Sequence, residues 1–139
     1  MANEFDRPHP LVSYQFTIAN VGAGATPVDG VLMGANGKGG PIVPAGYKFV
    51  PVFIDAEIND PRTAGTSTIK ATADGTELVS GPEALIDGTN TAKDTGMASS
   101  DADSVAAGEE IGVSATGSGT FAPTTADADV VLYGYFLPA

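Results

Sequence analysis

Apolar and polar side chains alternate along this chain in short runs, each closed by glycine, proline or aspartate. In "LVSYQFTIA", residues 11–19, Val12, Tyr14, Phe16 and Ile18 fall on one side, and Ser13, Gln15 and Thr17 on the other. This period of two predicts a half-buried strand. Gly22 to Pro27 reads as a turn, Val28 to Met33 as one short strand, and "GANGKGGP" as a glycine-rich loop. In "IVPAGYKFVPVFIDAEIN", residues 42–59, Val50, Val52, Ile54, Ala56 and Ile58 alternate onto one face, leaving Phe49, Pro51, Phe53, Asp55 and Glu57 on the other. Proline cannot donate to a ladder, so Pro51 calls for an edge position or a bulge.

"TSTIKATA" predicts another strand, with Asp74-Gly75 as a tight hairpin before "TELV". Residues 80–104 are small and polar, with Leu85 and Ile86 as the strong apolar anchors, and predict a short strand near 84–87 followed by a long surface loop. "EEIGVSAT" and "DVVLYGYFL" supply two more strands, and the second, apolar on both faces, is expected at the centre of a sheet. "VPAGYKFV" (43–50) and "VAAGEEIG" (105–112) echo each other at an offset of 62 residues, which is either chance or two equivalent corners.

No window of fifteen residues combines a helical apolar period with freedom from Gly and Pro. The expected fold is therefore all-β, an antiparallel β-sandwich, jelly-roll-like first and immunoglobulin-like second. Residues 1–10, "MANEFDRPHP", read as an extended N-terminal arm, and 11–139 as a single β-sandwich domain.

Composition then narrows the function classes. Six basic against seventeen acidic residues give a formal charge of −11, which repels phosphate backbones and anionic membranes, so neither nucleic acid nor membrane is an expected partner. There is no cysteine, hence no disulfide and no thiolate metal site. The first twenty residues lack the basic region and apolar run of a signal peptide, and none is expected.

Candidate chemistry is sparse, and no catalytic residues or cofactor are expected. His9, the only histidine, lies between Pro8 and Pro10 where nothing would orient it as a base. Asp55 and Glu57 share a strand face with their Cα atoms about 7 Å apart, within the range of glycosidase carboxylate pairs. With no tryptophan in the chain, a sugar-stacking platform is not evident beside them. Asp101 with Asp103 and Asp127 with Asp129 could offer oxygen ligands to calcium, although neither pair has EF-hand spacing. Gly37-Lys38 is followed by Gly39 where a phosphate loop needs Ser or Thr. Phe5, Arg7 and His9 concentrate contact chemistry in the arm, which Pro8 and Pro10 keep extended, and are candidates for a capsid or intersubunit contact by strand addition.

A short arm, an acidic cysteine-free β-domain, Gly/Ala/Thr-rich strands, "IVPAGYKFVPVFIDAEIN" and the "DGT" hairpin together resemble the capsid decoration (cement) and head-fibre proteins of tailed bacteriophages, over about residues 11–137. The resemblance implies a virion structural protein without catalytic residues, made in the host cytoplasm and seated on the capsid surface. Its implied partners are the major capsid protein of the phage head and itself, most often as a homotrimer, and its role is to stabilise an assembled shell. A β-tulip decoration protein would fit the same class, although the number of alternating strands favours a sandwich. A phage tail or fibre component and a carbohydrate-binding or adhesin module remain alternatives, separable by capsid cosedimentation and by a sugar-affinity assay.

Overall fold

The computed structural model describes residues 10–22, 24–33, 39–98 and 103–139. Among them are ten strands and no helix: β1 (Val12–Ile18), β2 (Val28–Asp29), β3 (Val31–Leu32), β4 (Tyr47–Ile58), β5 (Ser67–Ala73), β6 (Thr76–Glu77), β7 (Glu83–Ile86), β8 (Lys93–Met97), β9 (Ile111–Gly117) and β10 (Ala128–Pro138). They form two antiparallel sheets. Sheet A runs β3-β1-β10-β4-β8; sheet B runs β2-β9-β5-β6, with β7 also paired to β5. Without the short β3 and β6 the orders become β1-β10-β4-β8 and β2-β9-β5-β7, the interleaved double Greek key of a jelly-roll-like sandwich.

The core lies between the sheets. β1 contributes Phe16 and Ile18, β4 Phe49, Ile54, Ala56 and Ile58, β10 Val130 and Leu132, and sheet B answers with Ile69, Ala71, Ile86, Ile111, Val113 and Ala115. Ile54 is wholly buried, as expected of its position in the alternation, and Ile54→Ala should cost about 2–5 kcal/mol, read as a lower melting temperature. β10 is central in sheet A, between β1 and β4.

Three local features differ from the sequence expectation. The first is the phase of β4. Its register with β10 steps from Tyr133↔Phe53 to Gly134↔Pro51, so Val52 is an extra residue, a β-bulge. Because side chains alternate with period two, one inserted residue reverses the faces. Phe49 is therefore fully buried in the core, whereas Val50 lies outside the core cluster. The bulge also accommodates the proline: Phe49 directs its N–H away from β10 to Val105 O (2.9 Å), and Pro51, two residues on, has its missing donor on that same side. Phe49 packs edge-on to Tyr14 (5.9 Å between centroids) and against Phe136 (5.2 Å). Gly134, the partner of Pro51, supplies the room for the ring, since a Cβ there would collide with the Phe49 ring and with Val50 O. Gly134→Ala should destabilise by about 1–3 kcal/mol through overpacking, measured by thermal melting.

The second difference lies at 28–33, expected as one strand. The chain changes sheets there: β2 pairs with β9 at Val28↔Ala115, β3 with β1 at Phe16↔Leu32, and Gly30 is the corner between them. The third is β8, in a stretch expected as loop. Its inward positions are Asp94 and Gly96, so it carries no hydrophobic alternation. It is held instead by polar contacts: Leu85 N–H, on β7 at the edge of sheet B, donates to Asp94 Oδ2 (2.8 Å), and Asn90 Nδ2, in the preceding turn, to Asp94 Oδ1 (2.9 Å). The preceding turn is closed by Asp87 Oδ1, which accepts from Thr89 and Asn90 N–H groups that hold the carboxyl below its ordinary pKa.

The two echoed segments prove to be equivalent corners that pair with each other. Gly46 and Gly108 both have positive φ, at 84° and 85°, and Val43 and Val105 are both buried. Gly108 N–H donates to Val43 O (2.8 Å) and Val43 N–H to Glu109 O (3.0 Å).

Candidate functional site

The outer faces of the two sheets differ in chemistry. On sheet B, hydroxyls and charges satisfy one another. Ser114 and Thr116 donate to Glu77 Oε1 (3.2 and 3.0 Å), and Lys70 lies 3.8 Å from Glu77 and 3.7 Å from Glu83. Thr66, Thr68 and Ser118 line the same shallow depression.

The outer face of sheet A is apolar at its middle. The cross-strand registers place Ser13, Tyr133, Phe53 and Met97 in one row across β1, β10, β4 and β8. The Phe53 and Tyr133 rings are in tilted contact at 5.6 Å, and Met97 is 77% exposed at the end of the row. The next row is Gln15, Val131, Asp55 and Thr95, and the one after it Thr17, Asp129, Glu57 and Lys93. An apolar strip is thus bordered by three carboxylates, with Asp129 directly opposite Glu57. Like charges in such a cross-strand pair destabilise the fold. Glu57 lies between Asp129 and Lys93 in its row, so one lysine answers it and these rows keep an excess of two carboxylates.

The carboxylates singled out in the sequence are distributed as follows. Asp55 and Glu57 do face outward together, as expected, but they border an apolar strip rather than a cleft. Asp101 lies outside the described residues, as do Phe5, Arg7 and His9. Asp103 Oδ2 accepts the N–H groups of Val79 (3.0 Å) and Ser80 (3.2 Å), fixing the 79–80 turn. Asp127 ties three loops: its Oδ1 accepts from Asn20 N–H (3.0 Å), its own N–H donates to Asn59 Oδ1 (2.9 Å), and its carbonyl accepts from Asn59 N–H. Asp129 belongs to β10 and joins Glu57 and Asp55 instead of Asp127. Among the described residues no group of three His, Cys, Asp or Glu is arranged to hold a metal ion.

The alternation in sequence places Phe53, Asp55 and Glu57 on one face but does not disclose Met97 or Tyr133 as its partners. The available signal was the excess of bulky residues on both sides of 47–58 and 130–137. It shows that a second apolar surface exists, while the partners follow only from the strand order.

No protein-family model matches the chain, and no curated protein matches it in sequence. In fold it is similar to a chain of a cyanophage Pam1 capsid asymmetric unit, with a TM-score of 0.54 and 13% identity over 94% of this chain and 86% of that one. The likeness therefore spans nearly the whole of both chains, at an identity where only the fold is shared. No helix among the described residues is long and apolar enough to cross a membrane.

Proposed function

We propose that this chain is a bacteriophage virion structural protein, a decoration protein that binds the outside of the assembled head and stabilises it. The observation that carries the reading is the fold likeness to a chain of a capsid asymmetric unit over 94% of the length, between chains of similar size. The sandwich closes on one core drawn from both sheets, which suits a part whose work is to hold others in place. The apolar strip on sheet A gives it a surface to bind with. In this reading the partner is the major capsid protein, the protein acts as a homotrimer on the lattice, and the arm with Phe5, Arg7 and His9 adds contacts between subunits or to the shell.

The test is shell stability. Heads lacking the protein, heated with and without it, should break open at a higher temperature when it is present. Equal opening temperatures at saturating protein would remove the stabilising role. Deleting residues 2–10 should leave the melting temperature of the free protein unchanged and weaken its cosedimentation with heads. Equal cosedimentation would exclude the arm as a contact.

A further inference from the structure

We infer that the outer face of sheet A is the docking surface for a basic protein surface, one that meets the Met97–Phe53–Tyr133 strip with apolar groups and the Asp55, Glu57 and Asp129 carboxylates with lysine or arginine. The inference rests on the decoration reading for the identity of that partner as the capsid shell. It assigns the face, the anchors and the charge, which that reading leaves open.

Met97 is 77% exposed on β8, and its row continues through a contacting pair of aromatic rings. Aromatic and Met side chains grouped in this way are enriched at the centres of protein interfaces. The sandwich core does not use them, because the bulge at Val52 turns Phe49 inward while leaving Phe53 outward. Next to the strip, two rows carry three carboxylates, two of them in the directly opposed Asp129↔Glu57 position. Lys93 answers Glu57 from the end of the row, which leaves Asp129 and Asp55 with no basic residue across from them, and a cationic partner would answer those two.

Charge complementarity also decides between occupants. A second copy of the chain would have to bring its own basic groups to these carboxylates, and among the described residues there are four. Lys70 lies between Glu77 and Glu83, and the Arg62 Nε–H is given to Gly65 O. Lys93 stands at the end of the acidic row itself, opposite Glu57. That leaves Arg62, whose bond to a neutral carbonyl does not cancel its charge, and Lys48, paired with Leu137 of β10, two cations against three carboxylates. Two copies packed face to face would also oppose six carboxylates on an already acidic chain. Among the described residues, a different, basic surface answers these carboxylates better than a copy packed face to face; Arg7 and Lys38 lie outside them. The polar face of sheet B, whose Lys70, Glu77, Ser114 and Thr116 are already engaged, offers no comparable anchor.

The experiment is cosedimentation of the full chain with undecorated heads from 50 to about 500 mM NaCl, a range over which screening shortens from well beyond one charge-pair distance to a few ångströms. The wild type should bind more weakly as salt rises. Met97→Lys should weaken binding at least tenfold at every salt concentration with an unchanged melting temperature. The combined D55N, E57Q and D129N variant should lose at least tenfold at low salt and most of the salt dependence, again without loss of thermal stability. Thr68→Ala, on sheet B, should bind as wild type. Wild-type binding that both sheet A variants keep would overturn the docking face and leave the decoration reading standing. No wild-type binding at any salt would overturn the decoration reading and the capsid partner with it. Sedimentation velocity that shows Met97→Lys converting an oligomer to a monomer would assign the strip to self-association and refute the basic occupant.

Discussion

Phe49→Ala should lower the stability of the fold by about 3–5 kcal/mol, while Phe53→Ala, four residues along the same strand, should cost only the loss of a surface ring contact, about 0.5–1.5 kcal/mol. The difference is the bulge. In an unbroken strand residues 49 and 53 have the same parity and share one face; here Val52 is inserted between them, and Phe49 is buried against Tyr14 and Phe136 while Phe53 stacks outward on Tyr133. For a chain of this size each kcal/mol corresponds to roughly 3–6 °C, so the Phe49 variant should melt roughly 9–30 °C lower and the Phe53 variant roughly 2–9 °C lower, with the Phe49 shift always the larger. Equal shifts in the two would show that the strand is straight and the bulge wrong.

Phe16→Ala is expected to cost a similar amount, about 3–5 kcal/mol, for a different reason. Phe16 pairs with Val130 on one side and Leu32 on the other, and it lies beneath the point where the chain leaves sheet B for sheet A. Gly30 makes that crossing so close to the core that a Cβ there would meet Val113 Cγ2 and Ile18 as well as Phe16 Cβ. The ring of Phe16 also lies beside Gly40, on the return from the loop. Removing it leaves a cavity under two backbone segments that cannot collapse inward, because Gly40 already abuts the Ile111 carbonyl. Denaturant unfolding should show a lower midpoint with an unchanged slope.

These two phenylalanines also mark what the amino-acid sequence discloses. Phe16 lies in a clean alternation, and its strand, its face and its burial were all legible, as was the Asp74-Gly75 turn, whose φ values of 49° and 79° are those of a two-residue hairpin. The alternation puts Phe49 on the wrong face, since Pro51 announces an irregularity without saying on which side of it the phase changes. β8 was invisible for another reason. Its inner positions are filled by a hydrogen-bonded carboxylate and by Gly96, which abuts the Glu83 carbonyl, so that the strand is stabilised by backbone and polar contacts with no apolar period. The strip on sheet A was half legible. Its residues on β4 and β10 read as apolar on both faces, but Met97 joins them only through the register of the strand that was missed. The paired aspartates were read by nearness in sequence, and the fold uses Asp103 and Asp127 to fasten turns while sending Asp129 to another face.

The measurement that bears most directly on the functional reading is electron cryo-microscopy of undecorated heads incubated with the protein. Sandwich-shaped density should recur at fixed lattice positions on the outer surface, with sheet A turned toward the shell. A bare head surface, or density confined to the tail, would contradict it.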